Sequence, residues 1–187
     1  MKMIYINIQM EPLLKKYKVL IIGDACVGKT SLLLRHVEGR FIEEVTGTIG
    51  VDYRANTYVR DNQRYDLQIW DTAGQDRFKN VTRAYYRDAN AALLVFDLTK
   101  EDTLENIKTW YKQLTDHVNR DDIVTILVGN KCDLKSTVLP PEIQKLAAEL
   151  NISTYVQTSA KEGTRVNEVF EQLLEKLIAS DGLPQSP

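Results

Sequence analysis

The sequence predicts an α/β domain, with a mostly parallel six-stranded sheet, one antiparallel edge strand and helices on both faces. Three observations lead there. Short apolar runs alternate along the chain with segments whose apolar residues recur at helical spacing, the pattern of buried strands joined by helical crossovers. One pair of strand-like runs is separated by the turn residues Asp61-Asn62, which makes that pair an antiparallel hairpin. The chain has 187 residues, 43% of them hydrophobic and 27% charged, enough to bury one core and too apolar for a disordered chain.

The elements follow in order. Val19-Leu20-Ile21-Ile22 is an apolar run that stops at Gly23, a buried strand. A helix follows over Leu32 to Val37. Val51 to Val59 and Tyr65 to Trp70, rich in Val, Tyr and Thr, form the hairpin. Ala91 to Phe96 and Val124 to Val128 are two more buried strands. Between them Leu104, Ile107, Tyr111, Leu114 and Val118 recur as one helical stripe, with Thr103 as its cap. Pro141 opens a helix through Leu150, Thr154 to Thr158 is the last strand, and Val166, Val169, Phe170, Leu173, Leu174, Leu177 and Ile178 line a final helix. Residues 1–16 read as an N-terminal arm, 17–179 as the domain, and 180–187 as a disordered tail.

Composition excludes several classes. A net charge of -2 argues against a broad nucleic-acid surface. Two distant cysteines, Cys26 and Cys132, make neither a disulfide framework nor a zinc site. No apolar stretch approaches the ~20 residues of a membrane span, and the first residues lack the apolar core of a signal peptide. The expectation is a cytoplasmic monomer.

The chemistry lies at strand ends. Gly23-Asp24-Ala25-Cys26-Val27-Gly28-Lys29-Thr30 has the spacing GxxxxGK[ST] between a strand and a helix. Glycines let backbone N–H groups wrap a phosphate, and the helix N-terminus adds positive character. Lys29 is the candidate for the β- and γ-phosphates, Thr30 for Mg²⁺, and Ser31 for the α-phosphate. Asn130-Lys131-Cys132-Asp133 and Ser159-Ala160-Lys161 each follow a strand, where open α/β sheets bind ligands. Asp133 can accept from guanine N1–H and the N2 amine, which adenine does not offer. The Lys131 stem can cover a base face, and the Ala160 N–H can donate to O6. Asp71-Thr72-Ala73-Gly74-Gln75 ends the third strand. There Asp71 can hold Mg²⁺ through a water, the Gly74 N–H can bond the γ-phosphate, and Gln75 can orient water. Thr48 is the candidate second hydroxyl for Mg²⁺. His36 and His117 stand outside every motif and read as structural.

In order and spacing these segments resemble the nucleotide motifs of the Ras-like small GTPases, from about Tyr17 to Ala179. Ile49 to Tyr53, Leu67 to Trp70, Arg77-Phe78, Tyr85 to Arg87 and Leu93 to Asp97 are most similar to Rab-type segments. The resemblance implies a P-loop GTPase fold and a GTP/GDP switch that hydrolyses GTP with Mg²⁺. Gln75, Lys29, Thr48 and Gly74 would be its catalytic residues and Phe41 would stack on guanine. It also implies vesicle traffic at the cytosolic face of endomembranes, an activating protein, an exchange factor, and effectors reading Tyr53, Trp70 and Tyr85. Ala25 departs from a frequent Gly, Val45 from a frequent aromatic, and Tyr53 from the more usual Phe. No cysteine follows Cys132, so the thiol of a prenyl anchor is absent, and the abrupt end of the polar tail suggests trimming. The alternative weighed here is a GTP-binding scaffold that hydrolyses poorly. An ATP enzyme is disfavoured by Asn130, Asp133 and the Ser159 segment.

Overall fold

The computed structural model describes residues 14–43, 51–72, 85–118 and 123–182. Its elements run β1 (Leu14–Ile22), α1 (Lys29–Glu38), β2 (Val51–Arg60), β3 (Gln63–Thr72), β4 (Ala91–Asp97), α2 (Glu101–Glu105), α3 (Ile107–His117), β5 (Val124–Asn130), α4 (Pro140–Glu149), β6 (Tyr155–Gln157) and α5 (Val166–Asp181). The sheet has six strands in the order β2-β3-β1-β4-β5-β6. Only β2 and β3 pair antiparallel; the remaining neighbours are parallel. Asp61 and Asn62 both take positive φ, 49° and 60°, as the tight hairpin turn requires.

Strand periodicity divides the core. Val19 and Ile21 of β1 point into one apolar cluster with Leu33 of α1 and Phe170, Leu173 and Leu177 of α5. Leu20 and Ile22 point the other way, to Ile107 and Leu114 of α3 and Ile143 and Leu146 of α4. β4 is buried along its whole length, so its sequence is a continuous apolar run rather than an alternating one. The α5 stripe from Val166 to Leu177 is at most 2% exposed. Each such side chain contributes about 1.5–3 kcal/mol on burial.

Three boundaries differ from the sequence reading. The single helix from Leu104 to Val118 is two, α2 and α3, broken at Asn106. Thr103 does not cap it: Lys100 is the N-cap, and the buried Thr103 hydroxyl accepts the Asp97 N–H at 3.0 Å while donating to the Lys100 carbonyl at 2.7 Å. That hydroxyl ties the helix to the end of β4 instead. The next helix opens at Pro140, one residue before Pro141, with Glu142 accepting the Leu139 N–H at 3.0 Å.

The third difference concerns the ends. Leu14, Lys15 and Lys16, read as arm, are strand paired with Arg64, Tyr65 and Asp66 of β3. Ser180 and Asp181, read as disordered tail, complete α5. Asp181 accepts hydrogen bonds from the Tyr17 hydroxyl at 2.6 Å and the Lys15 ammonium at 3.2 Å, so the two polar ends meet. The remainder of the arm and tail, residues 1–13 and 183–187, lies outside the described residues. Among the described residues no helix is long and apolar enough to cross a membrane.

Candidate functional site

In the sheet order β1 lies between β3 and β4, and the chain leaves it toward opposite edges. The carboxyl end of β1 is therefore a switch point of the fold, where a crevice opens. The loop from Gly23 to Gly28 fills that position and runs directly into α1. Two glycines are forced there. Gly23 has φ 148° and a Cβ on it would sit against the Val95 carbonyl of β4. Gly28 has φ 97°, and a Cβ would collide with the Asn130 amide of β5. The loop can lie this close to two strands only without side chains.

Within the loop Lys29 is 5% exposed, and its ammonium donates to the Gly23 carbonyl at 2.8 Å and the Asp24 carbonyl at 2.6 Å. Burial pushes its pKa down to about 8, against the opposing pull of Asp71 and Asp24. Beside it the Thr30 hydroxyl donates to Asp71 Oδ2 at 2.5 Å. Ala25 and Cys26 are exposed, Val27 is buried, and Ser31 lies on the first turn of α1. The Asp24 carboxylate turns away from the loop, accepting from Trp110 Nε1 at 2.7 Å and Asn106 Nδ2 at 2.8 Å. Its side chain thus fastens the loop to α3, a partnership invisible at that sequence distance.

Two further loops converge from β5 and β6. Asn130 is 2% exposed and makes protein contacts with its whole amide. Its Nδ2 donates to the Val27 carbonyl at 2.9 Å; its Oδ1 accepts from the Thr158 hydroxyl at 3.1 Å and the Ala160 N–H at 3.2 Å. One side chain thus joins all three loops. The sequence reading assigned Asn130 to the nucleotide; the structure shows in addition that it fastens the loops. The Ala160 N–H, the candidate donor to O6, lies 3.2 Å from Asn130 Oδ1 at the same junction. Asp133 is exposed, and its carboxylate accepts from the Ser159 hydroxyl at 2.6 Å, while the same oxygen of Ser159 accepts the Glu162 N–H at 3.0 Å.

Lys131 holds φ 67° and its ammonium pairs with Asp97 Oδ2 at 2.7 Å. Asp97 is 1% exposed. Burial alone would raise its pKa, but hydrogen bonds from Lys131 and Thr99 outweigh this and hold it below the ordinary carboxylate value. The sequence reading missed Asp97, although a carboxylate ending the apolar run Leu93 to Phe96 was a visible signal. It also missed Arg35, which binds the Ala160 and Lys161 carbonyls, and whose place on an amphipathic helix carries no signal. Phe41 is half-buried against the α1 and α5 core. Thr48, Gly74, Gln75 and Val45 lie outside the described residues. Tyr53, Trp70 and Tyr85 do form a contiguous patch. Tyr53 meets Trp70 edge-on at 5.1 Å and Trp70 lies 5.8 Å from Tyr85. The Lys18 ammonium sits 5.2 Å from the Trp70 ring.

A glycine-rich loop at the β1 switch point, running into α1 and joined through one asparagine to the loops on β5 and β6, defines a P-loop nucleotide-binding domain. The sequence model of the Ras family matches residues 18–179. The chain is 40% identical over 176 residues to Ras-related protein Rab-18-B of Danio rerio, covering 94% of this chain and 86% of that protein. It is 41% identical to Ras-related protein Rab-13 of Mesocricetus auratus (89% and 82% covered). It is 42% identical to Ras-related protein SEC4 of Saccharomyces cerevisiae (89% and 78%). The chain belongs to the Ras family of small GTPases, and its relatives place it with the Rab type.

Proposed function

We propose that this GTPase is a slow molecular switch that binds GTP with Mg²⁺ and, once GTP is hydrolysed, releases its effectors. The observation that supports this best is the Asn130 amide, which fastens the Val27 carbonyl, Thr158 and Ala160 into one unit. A phosphate-binding loop and a base-reading loop held together in this way suit one ligand that carries both groups.

In this reading guanine lies between the Lys131 stem and Phe41. Asp133 accepts from N1–H and the N2 amine, its carboxylate aimed by Ser159. The loop amides from Gly23 to Gly28 face the phosphates, Lys29 leaves its two carbonyls for the β- and γ-phosphates, and Ser31 reaches the α-phosphate. The Thr30 hydroxyl and the Asp71 carboxylate, in contact, are hard oxygen donors. They fit Mg²⁺, which takes few protein ligands and completes its shell with phosphate and water. Thr30 and Thr48 would hold the ion directly and Asp71 through a water; bound there, it would neutralise charge on the β- and γ-oxygens. Gln75 would orient the attacking water and the Gly74 N–H would bond the γ-phosphate. Thr48 and Gly74 would thereby order the loops at roughly 38–50 and 74–83, which relax after hydrolysis.

Ala25, exposed on the phosphate loop, would crowd the γ-phosphate and slow the step. An activating protein supplying an arginine is worth roughly 10³–10⁵ in this superfamily. Effectors would read the ordered loops together with Tyr53, Trp70 and Tyr85. An exchange factor would reset the switch, and a lipid anchor would place the monomer at the cytosolic face of endomembranes in vesicle traffic.

Single-turnover hydrolysis of preloaded GTP tests the proposal. Wild type should hydrolyse slowly and Gln75→Leu at a rate lowered at least tenfold. Tight GTP binding with no hydrolysis by either protein would overturn the switch in favour of the scaffold reading.

A further inference from the structure

We infer that Arg35 is a positioning residue for guanine recognition, acting through the loop it holds rather than by touching the base. The inference rests on the base-site reading above.

Arg35 lies on the last turns of α1, and three of its nitrogens are committed. Nε donates to the Ala160 carbonyl at 2.8 Å, Nη2 to the Lys161 carbonyl at 2.5 Å, and Nη1 to the Gly39 carbonyl at 2.8 Å. The first two are consecutive peptides of the loop after β6; the third is the residue that ends α1 with φ 68°. A guanidinium presents its donors in a rigid planar fork, so binding three carbonyls fixes all three in one plane. Gly163 lies under the same side chain; a Cβ there would reach within 3.7 Å of Arg35 Cδ. The loop is closed on itself by a bridge between Ser159 and Thr164.

The consequence for the base follows from peptide geometry. In a trans peptide the N–H points opposite to the C=O. Drawing the Ala160 carbonyl onto Arg35 turns the Lys161 N–H away from α1, and drawing the Lys161 carbonyl the same way fixes the following peptide, whose Glu162 N–H reaches Ser159. The Ala160 N–H already lies on the Asn130 side of the loop. Arg35 therefore aims the Lys161 N–H, the backbone donor that follows the Ala160 N–H proposed for the oxygen at purine C6. The Asp133 carboxylate, which addresses N1 and N2, is aimed separately by Ser159. Through Gly39 the same arginine fixes the start of the segment that carries Phe41.

Two recognition elements held by two different residues can be separated by changing the ligand. The experiment measures dissociation of GDP, 6-thio-GDP and IDP from the full chain with Mg²⁺, for wild type, Arg35→Ala and Arg35→Lys. Thermal unfolding of each variant is followed in parallel. Sulfur at C6 is a weak acceptor, and IDP lacks only the N2 amine. Arg35→Ala should release GDP roughly 10- to 100-fold faster, the cost of losing charge-assisted bonds that order the loop. It should narrow the preference for GDP over 6-thio-GDP while leaving the preference for GDP over IDP within twofold of wild type. Arg35→Lys, which keeps the charge but not the fork, should fall between, and it decides by the same criteria if the alanine variant does not fold. A merely structural arginine would lower the unfolding temperature yet leave the release rate of the folded protein and both ratios unchanged, and that result would overturn the inference. If wild type itself does not retain GDP, the base-site reading fails first and takes this inference with it. If wild type retains GDP but the variants release it within twofold of the wild-type rate, only the role of Arg35 is lost.

Discussion

At the scale of single residues, the site divides into groups that would touch a ligand and groups that hold them. In the proposed site Asp133 would be the ligand-facing acceptor, with the Ser159 hydroxyl holding its carboxylate at 2.6 Å. Asp133→Asn puts a donor where guanine already presents donors, so GTP binding should fall by a factor approaching 10⁴ and xanthine nucleotides should gain. Competition between GDP and XDP measures this, and unaltered GDP affinity would remove Asp133 from the base site. Ser159→Ala should weaken GDP by about tenfold without a switch in base preference, since the carboxylate is still present. The motif spacing named Asp133 and Lys29 as candidates, because the chemistry proposed for them depends on local order along the chain. Other holders were not legible. Asp97, Arg35, Asn106 and Trp110 act on residues remote in sequence, and their partners exist only after the sheet has formed.

At the scale of elements, packing period decided what could be read in advance. Strands buried on both faces, such as β4, and the α5 stripe announced themselves by their apolar runs. The break at Asn106 did not, because Leu104, Ile107 and Leu114 continue the apolar pattern across it. Nor did the polar start of β1, Leu14 to Lys16, whose order comes from pairing with β3 rather than from burial. One seam between elements yields a pH prediction. His36 of α1 stacks on Phe170 of α5 at 3.8 Å between centroids. Its Nδ1 faces Asn167 Oδ1 at 2.9 Å, an acceptor, so Nδ1 carries the proton. Nε2 then accepts from the Tyr58 hydroxyl at 2.6 Å and Asn56 Nδ2 at 3.1 Å. Burial lowers the His36 pKa below its ordinary 6.5, with the Asn167 hydrogen bond and Glu171 opposing. The sign follows: as pH falls below about 6.5 the unfolded chain takes up a proton that the folded one resists, so stability is lost on the acid side. His36→Phe cannot titrate. Denaturant unfolding at pH 7 and pH 5 should show the stability difference, wild type minus His36→Phe, shrinking or turning negative at pH 5. A difference independent of pH would mean that His36 titrates alike in both states.

At the scale of the whole molecule, the three loops at the carboxyl ends of β1, β5 and β6 meet through Asn130, and they belong to strands that carry both cores. A ligand that engages phosphate loop and base loop together binds only the folded arrangement. It should therefore stabilise the fold as a unit, by about 4 kcal/mol at a free concentration 1,000 times its dissociation constant, and by about 1.4 kcal/mol for each further tenfold. The unfolding temperature should accordingly rise with the logarithm of GDP concentration in the presence of Mg²⁺. ADP, which offers the same diphosphate but no partner for Asp133, should give a rise only at concentrations about 10⁴ higher. Chelating Mg²⁺ should reduce the GDP effect without abolishing it, because Asp133, Lys131 and the loop amides do not depend on the ion. The thermal series also separates the two halves of the site. An equal response to GDP and ADP would mean that the phosphate loop binds while the β5 and β6 loops do not read the base. No response to either would mean that the glycine-rich loop, despite its place at the switch point, does not bind phosphate.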